Sequence, residues 1–261
     1  MPDYNDQFKR RLLGNQTLVG TFLKVPSGHI TEMLGAVGYD FVIIDQEHAP
    51  FDRLSTDNAL LAAKAWEINA LVRVPSAQQE HILAALDGGA TGVLVPHVQS
   101  AEQAKAIVNA GKYHGERGFA LATRAASWGQ KTTAQHIAES DSRTVIIAQI
   151  EDLSGLENVE AIAAVEGIDA IFIGRGDLSV SLGARTPNDP VVFEACQTIA
   201  TAVIKQGKAL SAYMSTEAEV KALAEIGVTT FMYGSDQALF MSAARQAATI
   251  IRSITGDNQD G

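Results

Sequence analysis

The chain has 261 residues, with 30 acidic residues against 20 Lys and Arg and a formal net charge of −10. That balance argues against nucleic acid or an anionic membrane as the main partner, because both demand a basic face. A small anionic substrate needs only one well-placed cation and stays open. The lone Cys196 excludes an intramolecular disulfide, and Met1-Pro2-Asp3-Tyr4-Asn5-Asp6 lacks the basic-then-apolar pattern of a secretory leader. No apolar run reaches the ~18 residues of a bilayer span. A cytoplasmic, reducing setting is therefore expected.

Short β-branched apolar runs predict strands at Thr17–Leu23, Phe41–Asp45, Ala70–Arg73, Gly92–Val95, Thr144–Ile150, Ala170–Ile173, Ala209–Ala212 and Thr229–Tyr233. They are continuous rather than alternating, as in parallel strands buried on both faces. Apolar residues three and four apart predict helices at Leu54–Trp66, Gln78–Leu86, Ala101–Val108, Leu156–Ala164, Val191–Lys205, Glu217–Ile226 and Gln237–Ile254. Ser76, Ser100, Thr216 and Ser235 are candidate caps, and Gly88-Gly89, Gly111, Gly207 and Gly227 candidate helix ends. Strand-helix alternation predicts a parallel sheet, and eight strands predict a single-domain (β/α)8 TIM barrel over residues 1–255, with 256–261 a disordered tail. An open doubly wound sheet is disfavoured, since no G-x-G-x-x-G follows the first strand. One stretch, Tyr113–Gln130, has neither period and reads as a functional loop, followed by a short helical piece around Thr133–Glu139.

In such barrels the residues at the carboxyl ends of strands build the site. Gln149 and Glu151 are two apart, so they share a strand face with Val145 and Ile147, which should fill the barrel interior. Asp177 ends a Gly-flanked turn on the next strand, where it can converge with Glu151. Two carboxylates at neighbouring mouths form a hard-oxygen site suited to Mg²⁺ or Mn²⁺. His48 follows the second strand, beside Asp45 and Glu47, and suits a general base. Arg73 ends a buried strand and needs a carboxylate from the protein or a ligand. Asp87 ends a helix, which puts it on the opposite rim as a surface residue.

These residues bring out a resemblance. The stretches Asp45-Gln46-Glu47-His48-Ala49-Pro50, Val72-Arg73-Val74-Pro75, Leu86-Asp87-Gly88-Gly89-Ala90, Val93-Leu94-Val95-Pro96-His97-Val98, Gln149-Ile150-Glu151 and Phe172-Ile173-Gly174 through Asp177-Leu178-Ser179 resemble, in order and spacing, the HpcH/HpaI class II pyruvate aldolases. The likeness runs from about Leu13 to Ile254. It implies a carbon–carbon lyase that cleaves 4-hydroxy-2-oxoacids to pyruvate, or a related acid such as hydroxypyruvate, and an aldehyde. It implies His48 as base, Arg73 as transition-state stabiliser, and Glu151 and Asp177 as ligands of a divalent ion (Mg²⁺, Mn²⁺ or Co²⁺). Gln149 and the Gly176 backbone fall on substrate-contacting positions, together with Arg73 and Asp177. Asp87 falls on an aspartate that supports the base from another subunit. A homo-hexamer that exchanges its last helix between neighbours is implied as well.

The family's Gly-Pro-x-Asp-Leu turn is here Gly174-Arg175-Gly176-Asp177-Leu178, which adds a cation and removes a rigid proline. Three rival readings remain: a Schiff-base aldolase using Lys24, a CoA-thioester lyase of the citrate lyase β type, and a non-catalytic 2-oxoacid-binding barrel. The loop Tyr113–Gln130, with Arg117, Arg124 and Trp128, is expected to shape the aldehyde side.

Overall fold

Eight strands close in sequence order into a parallel barrel: β1 (Leu18–Leu23), β2 (Phe41–Asp45), β3 (Asn69–Arg73), β4 (Gly92–Val95), β5 (Val145–Ile150), β6 (Ala170–Ile173), β7 (Ala209–Met214) and β8 (Thr230–Ser235). This computed structural model describes residues 4–255; the tail expected at 256–261 lies outside them. The (β/α)8 TIM barrel read from the sequence is the observed fold.

Two cores explain the strand patterns. Inside the barrel, Phe22, Phe41, Ile43, Leu71, Leu94, Val145, Ile147, Phe172 and Met232 form one cluster, so Val145 and Ile147 fill the lumen as their strand face required. Outside it, the alternate strand residues, such as Val42, Ile44, Ala70, Val72, Ile146 and Ile171, pack against the helices. Strands buried on both faces have no reason to alternate.

The helices are α1 (Tyr4–Leu13), α2 (Gly28–Ala36), α3 (Arg53–Ala65), α4 (Gln79–Asp87), α5 (Ala101–Gly111), α6 (Thr133–Arg143), α7 (Leu153–Glu157), α8 (Val159–Ala163), α9 (Arg175–Ser181), α10 (Pro190–Lys205), α11 (Glu217–Glu225) and α12 (Asp236–Thr255). Helices α1, α2 and α9 were not anticipated. In α1 the apolar pair Phe8 and Leu12, one turn apart, is fully buried against the lumen core, and the Phe8 ring lies 5.5 Å from that of Phe41. This helix closes the amino-terminal end of the barrel. The helix expected over Leu156–Ala164 is two short ones, broken where Asn158 leaves helical geometry (φ −100°, ψ 7°). Ser100 and Thr216 cap α5 and α11 as expected, and Ser235 accepts the Ala238 N–H at the start of α12. Ser76 does not cap α4; its hydroxyl meets His81 Nδ1 at 3.0 Å instead.

Candidate active site

The carboxyl ends of the strands surround a cavity of about 470 Å³ whose lining includes Lys24, His48, Arg73, Gln149, Gly176 and Asp177. Its walls are set by register. Asp45 and Arg73 are paired across β2 and β3, so both arrive at the same level of the mouth. Arg73 Nε donates to Asp45 Oδ1 at 2.9 Å and its NH2 donates to Oδ2 at 2.7 Å, a planar fork meeting a carboxylate. Its NH1 lies 3.3 Å from Glu47 Oε2, and the guanidinium sits 4.8 Å above the Phe22 ring centroid. Asp45 is fully buried. Burial alone would raise its pKa, but the Arg73 hydrogen bonds and charge, the His48 N–H and Lys24 hold it below the ordinary carboxylate value. The carboxylate demanded by Arg73 is thus Asp45, with Glu47 alongside.

Lys24 Nζ is 3.2 Å from Asp45 Oδ2. An imine-forming lysine has to present a neutral amine to its substrate. This ammonium is engaged by a buried anion.

Glu151 follows β5 and is 2% exposed. It accepts the backbone N–H of His97 at 2.8 Å and the side-chain N–H of Gln149. Its pKa is pushed up to about 7, by burial above all and further by the Glu47 charge, against the lowering by His97 and Gln149. His97 adopts a left-handed backbone (φ 54°) just after β4, which turns its ring back over the mouth. Its Nδ1 is 3.2 Å from Glu151 Oε1 and its Nε2 3.5 Å from Glu47 Oε1. Glu47, His97 and Glu151 present ligand atoms all within 4.8 Å of one another. Gln149 Oε1 is buried with no hydrogen-bond partner, and Glu47 Oε2 makes no hydrogen bond beyond its ion pairs with Arg73 NH1 and His48. An unpartnered buried oxygen beside a carboxylate whose pKa burial pushes up fits a cation, and the two carboxylates are hard oxygen donors suited to a divalent ion.

Of the residues singled out in the sequence, His48, Arg73, Gln149, Gly176 and Asp177 line this one cavity; Glu151 is not part of its lining and is bonded to Gln149. His48 is half-exposed, its Nε2 3.6 Å from Glu47 Oε2. Asp177 lies in the first turn of α9 and is exposed, outside the Glu47–His97–Glu151 group. Gly174, the residue before α9, sits over Glu151: a Cβ there would be 2.6 Å from Glu151 Cβ, so only glycine admits this close approach.

Asp87 does not come to His48 within the chain. It ends α4 toward the other rim, where it accepts from Arg117 NH2 at 3.0 Å. The loop expected to shape the aldehyde side is also away from this mouth: Arg124 bonds Gly88 O at 2.9 Å and pairs with Asp57 at 2.8 Å, packing the loop on α3 and α4. Glu47 and His97 were missed as a pair. Pro96-His97, directly after β4 as His48 follows β2, was the signal available.

A TIM barrel whose carboxyl-end mouth holds a fork-bound arginine, a buried high-pKa carboxylate and an exposed imidazole defines an enzyme of small-anion chemistry. The sequence profile of the HpcH/HpaI aldolase/citrate lyase family matches residues 18–243. A hydroxypyruvate/pyruvate aldolase of Cupriavidus necator is 35% identical over 257 residues, covering 97% of this chain and 95% of that protein. A 5-keto-4-deoxy-D-glucarate aldolase of Klebsiella pneumoniae is 35% identical over 94% of this chain and 96% of its own. The crystal structure of an HpcH/HpaI aldolase/citrate lyase family protein from Burkholderia cenocepacia superposes with a TM-score of 0.90 at 30% identity, covering 95% of this chain and 99% of that one. This chain belongs to the HpcH/HpaI aldolase/citrate lyase family, and it is a carbon–carbon lyase of the aldolase type. Among the described residues, no helix is long and apolar enough to cross a membrane.

Proposed function

We propose that the protein is a metal-dependent aldolase that reversibly cleaves 4-hydroxy-2-oxoacids to pyruvate, or a related acid such as hydroxypyruvate, and an aldehyde. One observation carries this reading: at the carboxyl-end mouth Arg73, which lines the cavity, pairs through NH1 with Glu47, and Glu47 converges with His97 and the buried Glu151 on a single candidate cation site. The names of the Cupriavidus and Klebsiella relatives support the same substrate class.

Glu151 and Asp177 are the ligands expected from the resemblance, and Glu47 and His97 are placed to join Glu151. A divalent ion held there supplies Lewis-acid polarisation of the 2-oxo group. Arg73 NH1, the guanidinium nitrogen that Asp45 leaves free, adds positive charge where negative charge develops on the C2 oxygen. In cleavage His48 takes the proton of the C4 hydroxyl, the C3–C4 bond breaks, and its electron pair moves toward the 2-oxo group. In synthesis His48 removes a C3 proton. Gln149 and the Gly176 backbone orient the acid. A panel of 4-hydroxy-2-oxoacids assayed for pyruvate release tests the reading. Cleavage that falls away with EDTA and returns with Mg²⁺, Mn²⁺ or Co²⁺ is expected; no release from any member of the panel would remove it.

Assembly belongs to the same proposal. Asp87 can assist His48 only from a second subunit. Helix α12 leaves Phe240, Met241, Ile250, Ile251 and Ile254 exposed, with Asp236 its one buried residue, which supports exchange of this helix in a homo-hexamer. Sedimentation at assay concentration is expected to show a hexamer, and Asp87→Asn to lower kcat roughly tenfold or more. A fully active monomer would return Asp87 to the surface-residue role.

A further inference from the structure

Arg175 stands in the turn that carries Gly176 and Asp177, yet its side chain is turned away from water: the residue is 9% exposed. Its NH2 donates to Pro187 O at 3.1 Å, to Glu219 Oε1 at 3.1 Å and to Asn188 Oδ1, and its NH1 reaches Tyr213 O at 3.5 Å. These acceptors come from the loop before α10, from α11 and from the end of β7. Glu219 is fixed in turn: its Oε2 accepts the Ser215 N–H at 2.7 Å, the Ser215 hydroxyl at 3.0 Å and the Thr216 N–H at 3.1 Å. Burial would raise the pKa of Glu219, but the Ser215 N–H and the Arg175 charge keep it below its ordinary value.

The turn needs such an anchor. It holds two glycines; Gly176 has nothing within 4 Å of where a Cβ would stand, and the Ser179 hydroxyl that holds its carbonyl at 2.6 Å belongs to α9 itself, so it does not tie the turn to the β7 side as Arg175 does. Gly174 lies against Glu151 and Gln149, so any shift of the turn is felt at both. With no proline to stiffen the backbone, the guanidinium fastens it from outside.

We propose that Arg175 is a positioning residue: paired with Glu219, it fastens the Gly174–Asp177 turn to the β7 side of the mouth and so sets the affinity of the site for its 2-oxoacid and divalent ion. This rests on the aldolase reading above. A misplacement of about 1 Å at a reacting site costs on the order of 100-fold, so a loosened turn is measurable.

The test is calorimetric titration of Mn²⁺ into metal-free protein, and of pyruvate into the Mn²⁺-loaded form, for wild type, Arg175→Ala, Glu219→Gln and the double variant. Glu219→Gln keeps an acceptor for Ser215 and Thr216 while removing the charge. Both single variants are expected to weaken pyruvate binding roughly tenfold or more, the double variant no further than the worse single, and Arg175→Lys to recover part of the loss. If melting temperatures fall while both affinities hold, Arg175 is merely structural and the proposal is overturned. Multiplying losses in the double variant would overturn it too, because the two residues would then act independently. If wild-type protein binds neither Mn²⁺ nor pyruvate, the aldolase reading itself fails and takes this one with it.

Discussion

Arg73→Lys is expected to fold and to lose kcat by about 100-fold or more, the scale of removing an oriented donor from a developing oxyanion. Lysine keeps the positive charge beside the fully buried Asp45, so the largest penalty, an uncompensated buried anion, is avoided. It cannot reproduce the two parallel bonds to Asp45 while also reaching Glu47, because an ammonium is a single point of charge on a flexible stem. The melting temperature should fall modestly and turnover severely. A variant with near-normal kcat and a lowered melting temperature would make Arg73 a structural residue.

Glu151→Ala is expected to abolish both turnover and Mn²⁺ binding, since it removes the most buried carboxylate of the Glu47–His97–Glu151 group. Glu151→Gln separates the ligand role from stability. In the metal-free protein this carboxyl holds its proton up to about pH 7, against an ordinary value of 4.5 in the unfolded chain. The folded state therefore binds the proton more tightly, and stability falls as pH rises between those two values. Above pH 7 that cost is complete, so metal-free Glu151→Gln should melt higher than metal-free wild type. The gap should close as pH drops toward 4.5, and Mn²⁺ should raise the melting temperature of wild type alone. A gap that persists unchanged at pH 4.5 would locate the strain elsewhere.

The barrel was legible because its strands are buried on both faces and its longer helices carry regular apolar spacing. The elements that escaped bury few residues each, and not in a regular apolar spacing. In α1 only Phe8 and Leu12 meet the core. Short helices α2 and α9 each contain glycine, and α9 follows its strand so closely that it reads as a turn. At the site, Arg73, His48, Gln149 and Asp177 could be placed one strand at a time, since each lies just past an apolar run. Glu47, His97 and Glu151 meet only because β2, β4 and β5 end at one level around a closed barrel, and because His97 takes a left-handed backbone. Neither condition is written in a local spacing. The partner of Arg73 was open for the same reason: Asp45 faces it through the β2–β3 register. The role proposed for Asp87 requires a second copy of the chain, which a single sequence encodes only through its surfaces.

The most direct test of the metal route against the imine route is borohydride treatment in the presence of pyruvate, followed by intact mass measurement, alongside aldol cleavage by Lys24→Ala. Lys24 is the one amine at the end of β1, and its ion pair with Asp45 opposes nucleophilic use. No mass adduct is expected, with substantial cleavage by Lys24→Ala once Mn²⁺ is supplied and none by Glu151→Ala. A pyruvate adduct on Lys24 accompanied by loss of activity would contradict it.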